Sequence, residues 1–352
     1  MKTLLRLLLK SQHQRNRSEP AQTDKGMTLV ELLVGAIMAF LIITPMLAFV
    51  VDMLNTDRRE QVKSNTEQDV QAALDFIAQD LSQAIYIYDK SALNGPSRPN
   101  EDLVKPQLPP IPNGIPILVF WKRKQIRNAV SVVTDPNNRT KPIACDTKTC
   151  NDTYTRSLVA YYEVTEPTPN SIWCQPSGVP CPTRIERYEI SEGIMKNPAG
   201  LTAADRYFDD SEVKDGQQHN KAFNLNFDWN QPTKNVTNKG NWQNDHQVLV
   251  NYIDHSPLLP APPGDECQKA LGNPTDTTGV TPIALEDKTL KIANSTNSFY
   301  ACVDTARNIA RVTIRGNSLR RIQTDAANYD AKKAAYFPTA SVQVQGLGAR
   351  GK

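Results

Sequence analysis

The sequence predicts an α+β protein: a long N-terminal helix, transmembrane in its outer half and amphipathic in its inner half, packed on a β-rich, loop-rich globular domain. Three observations predict it. An uncharged apolar run fills Leu32 to Val51. A stretch free of Pro and Gly follows, Asp52 to Tyr88, with apolar residues at helical spacing. Beyond it, short apolar or alternating runs are separated by loops rich in Asn, Thr, Asp and Pro.

Composition narrows the class. The chain has 352 residues, 39% hydrophobic and 22% charged, which is too apolar for a disordered tail and too polar for a polytopic membrane protein. Twenty-five prolines against 16 glycines argue for a strand-and-loop body over a mainly helical one. Four histidines leave little material for a histidine-based metal or acid–base site. The net charge is +3, but residues 1–26 carry six basic and two acidic residues, a net of +4, so the rest nets −1. The basic character is confined to the N-terminus, and no nucleic-acid partner is expected.

Twenty apolar residues of helix rise about 30 Å, the thickness of a bilayer core. The basic leader before them stays cytoplasmic and the remainder lies across the membrane. A secretory signal peptide fits less well, because its apolar core is shorter and ends at a small-residue cleavage site. Glu31 sits at the cytoplasmic edge of the run. An ionisable group there costs roughly 2–3 kcal/mol or more unless it snorkels or is paired, so its presence needs a reason.

Lys25-Gly26-Met27-Thr28-Leu29-Val30-Glu31 resembles the processing site of type IV prepilins and pseudopilins. The resemblance implies a cut by prepilin peptidase between Gly26 and Met27, N-methylation of Met27, and a fibre-assembly role for Glu31, which becomes the fifth mature residue. A carboxylate there compensates the charge of an amine in apolar surroundings. The leader is long compared with many prepilins. The stretch Ala73-Leu74-Asp75-Phe76-Ile77-Ala78-Gln79-Asp80-Leu81-Ser82-Gln83-Ala84 is similar to one in J-type minor pseudopilins. Leader length, cysteine content and size also resemble a cyanobacterial pseudopilin of hormogonium polysaccharide secretion. These motifs cover only the first quarter of the chain.

The resulting organisation is a removable leader at 1–26, a transmembrane or fibre-core helix at 27–54, an amphipathic helix at 55–95 and a β-rich periplasmic or extracellular domain at 96–352. The helix is expected to run from about Thr28 to Tyr88, with Pro45 kinking it. Its inner half presents Val70, Ala73, Leu74, Ile77, Leu81, Ala84, Ile85 and Tyr88 on one face. Seven prolines between 96 and 116 mark an extended connection. Strands are expected at Ile115–Trp121, Ser157–Val164, Ile185–Ile190, Phe223–Trp229, Val248–Ile253, Ala310–Ile314 and Ser341–Val344. A helical turn is expected near Thr324–Ala335.

All six cysteines, Cys145, Cys150, Cys174, Cys181, Cys267 and Cys302, lie beyond the apolar run. An even number in an oxidising compartment reads as disulfides. Among fifteen connectivities, local closure favours Cys145–Cys150, Cys174–Cys181 and Cys267–Cys302. No zinc spacing is present, and no metal or cofactor is expected. Asp209, Asp210, Glu212 and Asp215 before Gly216 lack EF-hand spacing and read as a solvated acidic loop, with a calcium loop as the alternative. Arg307, Arg311, Arg315, Arg320 and Arg321 form a basic cluster. If Ala310–Ile314 is a strand, Arg311 and Arg315 share its outer face and are candidates for polymer contact, or form a salt-bridged surface. His246 and His255 have Asp245 and Asp254 beside them in sequence, but no serine elbow, P-loop or dinucleotide motif occurs, so no enzyme is expected.

The resemblance implies a minor pilin or pseudopilin: an inner-membrane single-pass precursor, later part of a fibre at the cell surface. Its partners are prepilin peptidase, other minor and major pilins or pseudopilins, the inner-membrane assembly platform and a polysaccharide cargo. Two other readings stay open, a pilus-displayed adhesin and a signal-anchored periplasmic domain.

Overall fold

A computed structural model describes residues 27–94, 104–131, 134–135, 138–142, 150–195, 207–208, 213, 218–220, 246–256, 264–272, 287–323 and 328–348. The chain divides into two compact units, Met1–Asp57 and Arg58–Lys352. Helix α1, Leu29–Ser82, is uninterrupted over 54 residues and supplies residues to both. It continues through Pro45, whose missing N–H leaves the Leu41 carbonyl without its intrahelical donor.

In the second unit α1 buries Val70, Ala73, Leu74, Ile77 and Leu81, spaced three and four residues apart on one face. The helix ends at Ser82, short of the expected Tyr88. Its last turn tightens, with Gln83 N–H donating to the Asp80 carbonyl at 3.1 Å and the Ser82 hydroxyl to the Gln79 carbonyl at 2.7 Å. Ala84–Ile87 then forms strand β1. The β-branched and aromatic run Ile85-Tyr86-Ile87 favours a pleated surface over a helical one. Pairing with β2 decides the outcome, through Tyr86 opposite Trp121 and Ile87 opposite Phe120.

The remaining elements follow in order: α2 (Lys90–Asn94), β2 (Gly114–Ser131), β3 (Thr134–Asp135), β4 (Asn138–Pro142), β5 (Cys150–Thr165), β6 (Thr183–Ser191), β7 (His246–Ile253), α3 (Glu266–Leu271), α4 (Asp287–Leu290), β8 (Lys291–Ala293), β9 (Phe299–Asp304), β10 (Ile309–Arg315) and β11 (Thr339–Gln345). A 3-10 turn at Ala331–Tyr336 stands where a helical turn is expected. Among the described residues three antiparallel sheets result, ordered β1-β2-β5-β6-β7, β11-β10-β9-β8 and β3-β4.

The α1 stripe and the inner faces of the two larger sheets form one hydrophobic core. Residues 157–164 of β5 are buried without a break, so this strand is covered on both faces. That is why it reads as a near-continuous apolar run. The β1 edge is closed by the β9–β10 turn. Asn308 Nδ2 donates to the Ala84 carbonyl at 3.0 Å and the Thr305 hydroxyl to the Ile87 carbonyl at 2.8 Å. Gly348 completes this contact, since a Cβ there would lie 2.0 Å from the Ile85 carbonyl oxygen. Among the strands expected from sequence, Phe223–Trp229 lies outside the described residues.

Candidate functional site

The start of α1 is built by Thr28. Its Oγ1 accepts the Glu31 backbone N–H at 3.3 Å, and its carbonyl accepts the Leu32 N–H at 3.1 Å. Thr28 is therefore the N-cap and Glu31 the third helical residue, the T-x-x-E spacing of a capping box. A carboxylate in the first turn is also favoured by the positive end of the helix dipole. This local reason for Glu31 is readable in the sequence as a cap signature. Met27 and Glu31 are both exposed, and Gly26 lies outside the described residues.

Every large apolar side chain from Met27 to Leu54 is exposed. This stretch makes α1 long and apolar enough to cross a membrane. The Thr44 hydroxyl donates to the Phe40 carbonyl at 2.8 Å, so this polar group is satisfied within the helix, as an apolar solvent demands.

The inner half of α1 carries one buried carboxylate, Asp80. Its Oδ1 accepts from Lys122 Nζ at 2.8 Å, and its Oδ2 accepts from Arg187 Nε and the Tyr161 hydroxyl, each at 2.7 Å. Glu189 continues the network toward Lys122, Arg187 and Lys124. Burial alone would raise the Glu189 pKa, but the three cations outweigh it and hold the group down to about 2. Burial, followed by the charge of Asp80, pushes the Tyr161 hydroxyl well above its ordinary value. This network ties α1 to β2, β5 and β6. Asp80 belongs to the stretch Ala73–Ala84, so that stretch has a structural task here.

Two disulfides have both cysteines among the described residues. Cys174–Cys181 closes a loop before β6, and Cys267–Cys302 joins α3 to β9. Cys150 is also disulfide-bonded, and Cys145 lies outside the described residues. The Cys174–Cys181 loop rests on Arg320, which is fully buried and donates to the carbonyls of Pro180 and Gly178 at 3.1 and 3.0 Å.

The arginine cluster corrects one expectation. Ala310, Val312 and Ile314 do face the core, but Arg315 is buried as well. Its Nε donates to Asp254 Oδ2 at 2.8 Å and its Nη2 to the Thr296 carbonyl at 3.2 Å. Arg315 is thus a buried ion pair and is not part of a polymer-binding face. Arg311 is partly exposed and donates to the Ser341 hydroxyl at 3.0 Å. Arg307 pairs with Asp304 and Arg321 with Asp69, so the cluster is largely engaged within the fold. The acidic residues 209, 210, 212 and 215 lie outside the described residues.

Near Arg315, Glu163 is fully buried. Its Oε1 accepts from the Thr296 hydroxyl at 2.6 Å. Burial raises its pKa to about 7, against the lowering effect of the Thr296 bond. His255 does not form an acid–base pair with Asp254, whose oxygens are taken by Ser256 and Arg315. Burial lowers the His255 pKa. Among the described residues no group of three or more His, Cys, Asp or Glu is placed to hold a metal.

Compared with known proteins, the chain matches no family model, no curated protein and no solved structure. What the fold and the site define is a disulfide-bonded α+β domain whose N-terminal helix is long and apolar enough to span a membrane.

Proposed function

We propose that the chain is a minor pilin or pseudopilin, a subunit of a type IV pilus-like or type II secretion-like fibre. The observation that carries this reading is the division of α1. Its first half is apolar on all sides, with one carboxylate at a capped start, while its second half has a single stripe buried in its own domain. A helix apolar on all sides is stable in lipid or in the core of an assembly. Such a helix moves from bilayer to fibre core without exposing its apolar surface to water.

In this reading the precursor sits in the inner membrane with its body in the periplasm. Prepilin peptidase cuts between Gly26 and Met27 and methylates the Met27 amine. Glu31 offsets the charge of such an amine on a neighbouring subunit, which the local positive potential of the helix start also requires. The assembly platform and the other major and minor pilins or pseudopilins are the partners. The resemblance around Asp80 supports a role like that of J-type proteins at the fibre tip, priming assembly for secretion, with polysaccharide as one cargo. The test is Glu31→Ala. The variant is expected to accumulate in the membrane yet be missing from sheared fibres. Undiminished recovery in fibres refutes the reading.

A second reading is favoured by the capping box. If Thr28 and Glu31 only start a helix, the chain is a signal-anchored periplasmic domain. It then keeps its leader, and Glu31→Ala leaves localisation and phenotype unchanged.

A further inference from the structure

A groove of about 510 Å³ opens on the body between the turn at Pro110–Asn113 and the region where β5 ends and β6 begins. The volume falls within the roughly 300–1,000 Å³ of small-molecule sites. One wall is apolar, formed by Ile111 and prolines. The other wall carries Arg184 and Glu186 from β6, Glu166 from the turn after β5, and His246 at the start of β7.

The polar wall is preorganised. Thr168 N–H donates to Glu166 Oε1 at 3.1 Å, and Arg184 Nη1 donates to Glu166 Oε2 at 3.1 Å. Arg184 Nε donates to Glu186 Oε1 at 2.6 Å, and the Tyr188 hydroxyl donates to Glu186 Oε2 at 2.7 Å. The side chains of Arg184, Glu166 and Glu186 are only 12%, 11% and 6% exposed. A nearly dehydrated ion triad is weak as a stabilising device, since apolar residues of similar volume often do as well or better. Its position along a concavity gives it another use. Beside it stands an aromatic column. Tyr162 meets Tyr188 edge-on at 5.3 Å, and His246 stacks on Tyr188 at 5.5 Å with its ring at the exposed end.

The chemistry selects a ligand class. Two carboxylates against one guanidinium leave a net charge of −1, which repels acidic polymers and phosphates. No third carboxylate is placed to complete a cation site among the described residues. Hydroxyl groups both donate and accept, and here carboxylate lone pairs and unused guanidinium N–H groups lie side by side. A flat ring and an apolar wall suit a ligand with a C–H face. We propose that this groove binds a neutral saccharide segment, with its hydroxyls on Arg184, Glu166 and Glu186 and its C–H face on His246. The inference goes beyond the fibre reading and does not depend on it.

The test uses the full-length protein in a sugar-free detergent. It is titrated by calorimetry with cellohexaose, maltohexaose and chitohexaose, and in parallel with an alginate hexamer and decaproline. Imidazole proton NMR of His246 reports the site. At least one neutral hexamer binds and shifts the His246 resonances, and His246→Ala and Arg184→Met each weaken binding at least tenfold. Melting temperatures of both variants are measured beside wild type, and weakened binding at an unchanged melting temperature supports the proposal. The proposal is overturned if none of the three neutral hexamers binds, if His246→Ala leaves binding intact, or if alginate or decaproline is preferred. Leader cleavage is read separately, so failure here leaves the fibre reading standing, and failure there leaves this one.

Discussion

Residues 29–57 and 58–82 belong to one uninterrupted helix but differ in what their side chains meet. In the first stretch Leu32, Phe40, Leu41 and Phe49 are all exposed, and the one carboxylate inside the apolar edge, Glu31, is exposed too. In the second, Leu74, Ile77 and Leu81 are buried, and Asp80 is buried with three hydrogen-bonding partners. An apolar surface on all sides needs burial that the described residues do not supply. A stripe with polar residues around it is covered by the domain itself. The same contrast holds for the acidic residues: the Glu31 backbone N–H meets its neighbour Thr28, whereas the Asp80 carboxylate is held by residues far away in sequence.

The largest test of this contrast is Asp80→Ala. It leaves Lys122, Arg187 and Tyr161 buried without their shared acceptor, and breaking a buried pair in this way costs about 3–5 kcal/mol. Thermal melting of the detergent-solubilised protein should show a large drop or loss of the folded body. Next comes a matched pair. Ile77→Ala, at a fully buried site, should cost about 2–5 kcal/mol. Leu41→Ala, at an exposed one, should leave the melting of the body unchanged. Equal effects at the two sites would erase the contrast.

Two carboxylates within the body set opposite limits on its pH range. The pKa of Glu163 is raised from 4.5 to about 7, so its contribution is complete below pH 4.5 and is lost as pH rises through 7. Glu163→Gln should therefore stabilise the protein at pH 8 by about 1–3 kcal/mol and change little at pH 5. Glu189 is lowered from 4.5 to about 2, so its contribution is present above pH 4.5 and is lost as pH falls toward 2. Denaturant midpoints across pH check both limbs. The smallest effect belongs to Thr28→Ala, which removes the N-cap for about 1 kcal/mol of local helix stability. Hydrogen exchange should show fraying confined to the first turn.

Much of the architecture was legible because it is written locally. The apolar run, the stripe from Val70 to Leu81 and the alternation around Val312 each follow from spacing within a few residues. The pairings Cys174–Cys181 and Cys267–Cys302 follow from closure of nearby loops. What was missed depends on distant partners. The end of α1 was placed too late because Ala84–Tyr88 keeps helical spacing, and only β2 and the β9–β10 turn reveal it as an edge strand. The role of Asp80 is not written locally, because Lys122, Tyr161 and Arg187 lie far along the chain. Arg315 was assigned to the outer face by correct strand alternation, yet Asp254 and the turn around Thr296 cover it there. The groove beside Pro110–Asn113 gathers residues from four separate segments, which no motif connects.

The central claim is that the exposed half of α1 begins at a processed N-terminus. The most direct measurement is the N-terminal mass of the membrane-extracted protein, with and without the host's prepilin peptidase. The account predicts a chain beginning at methylated Met27 when the peptidase is present and the full leader when it is absent. An intact leader under both conditions would contradict it and leave a helix-anchored domain outside the pilin class.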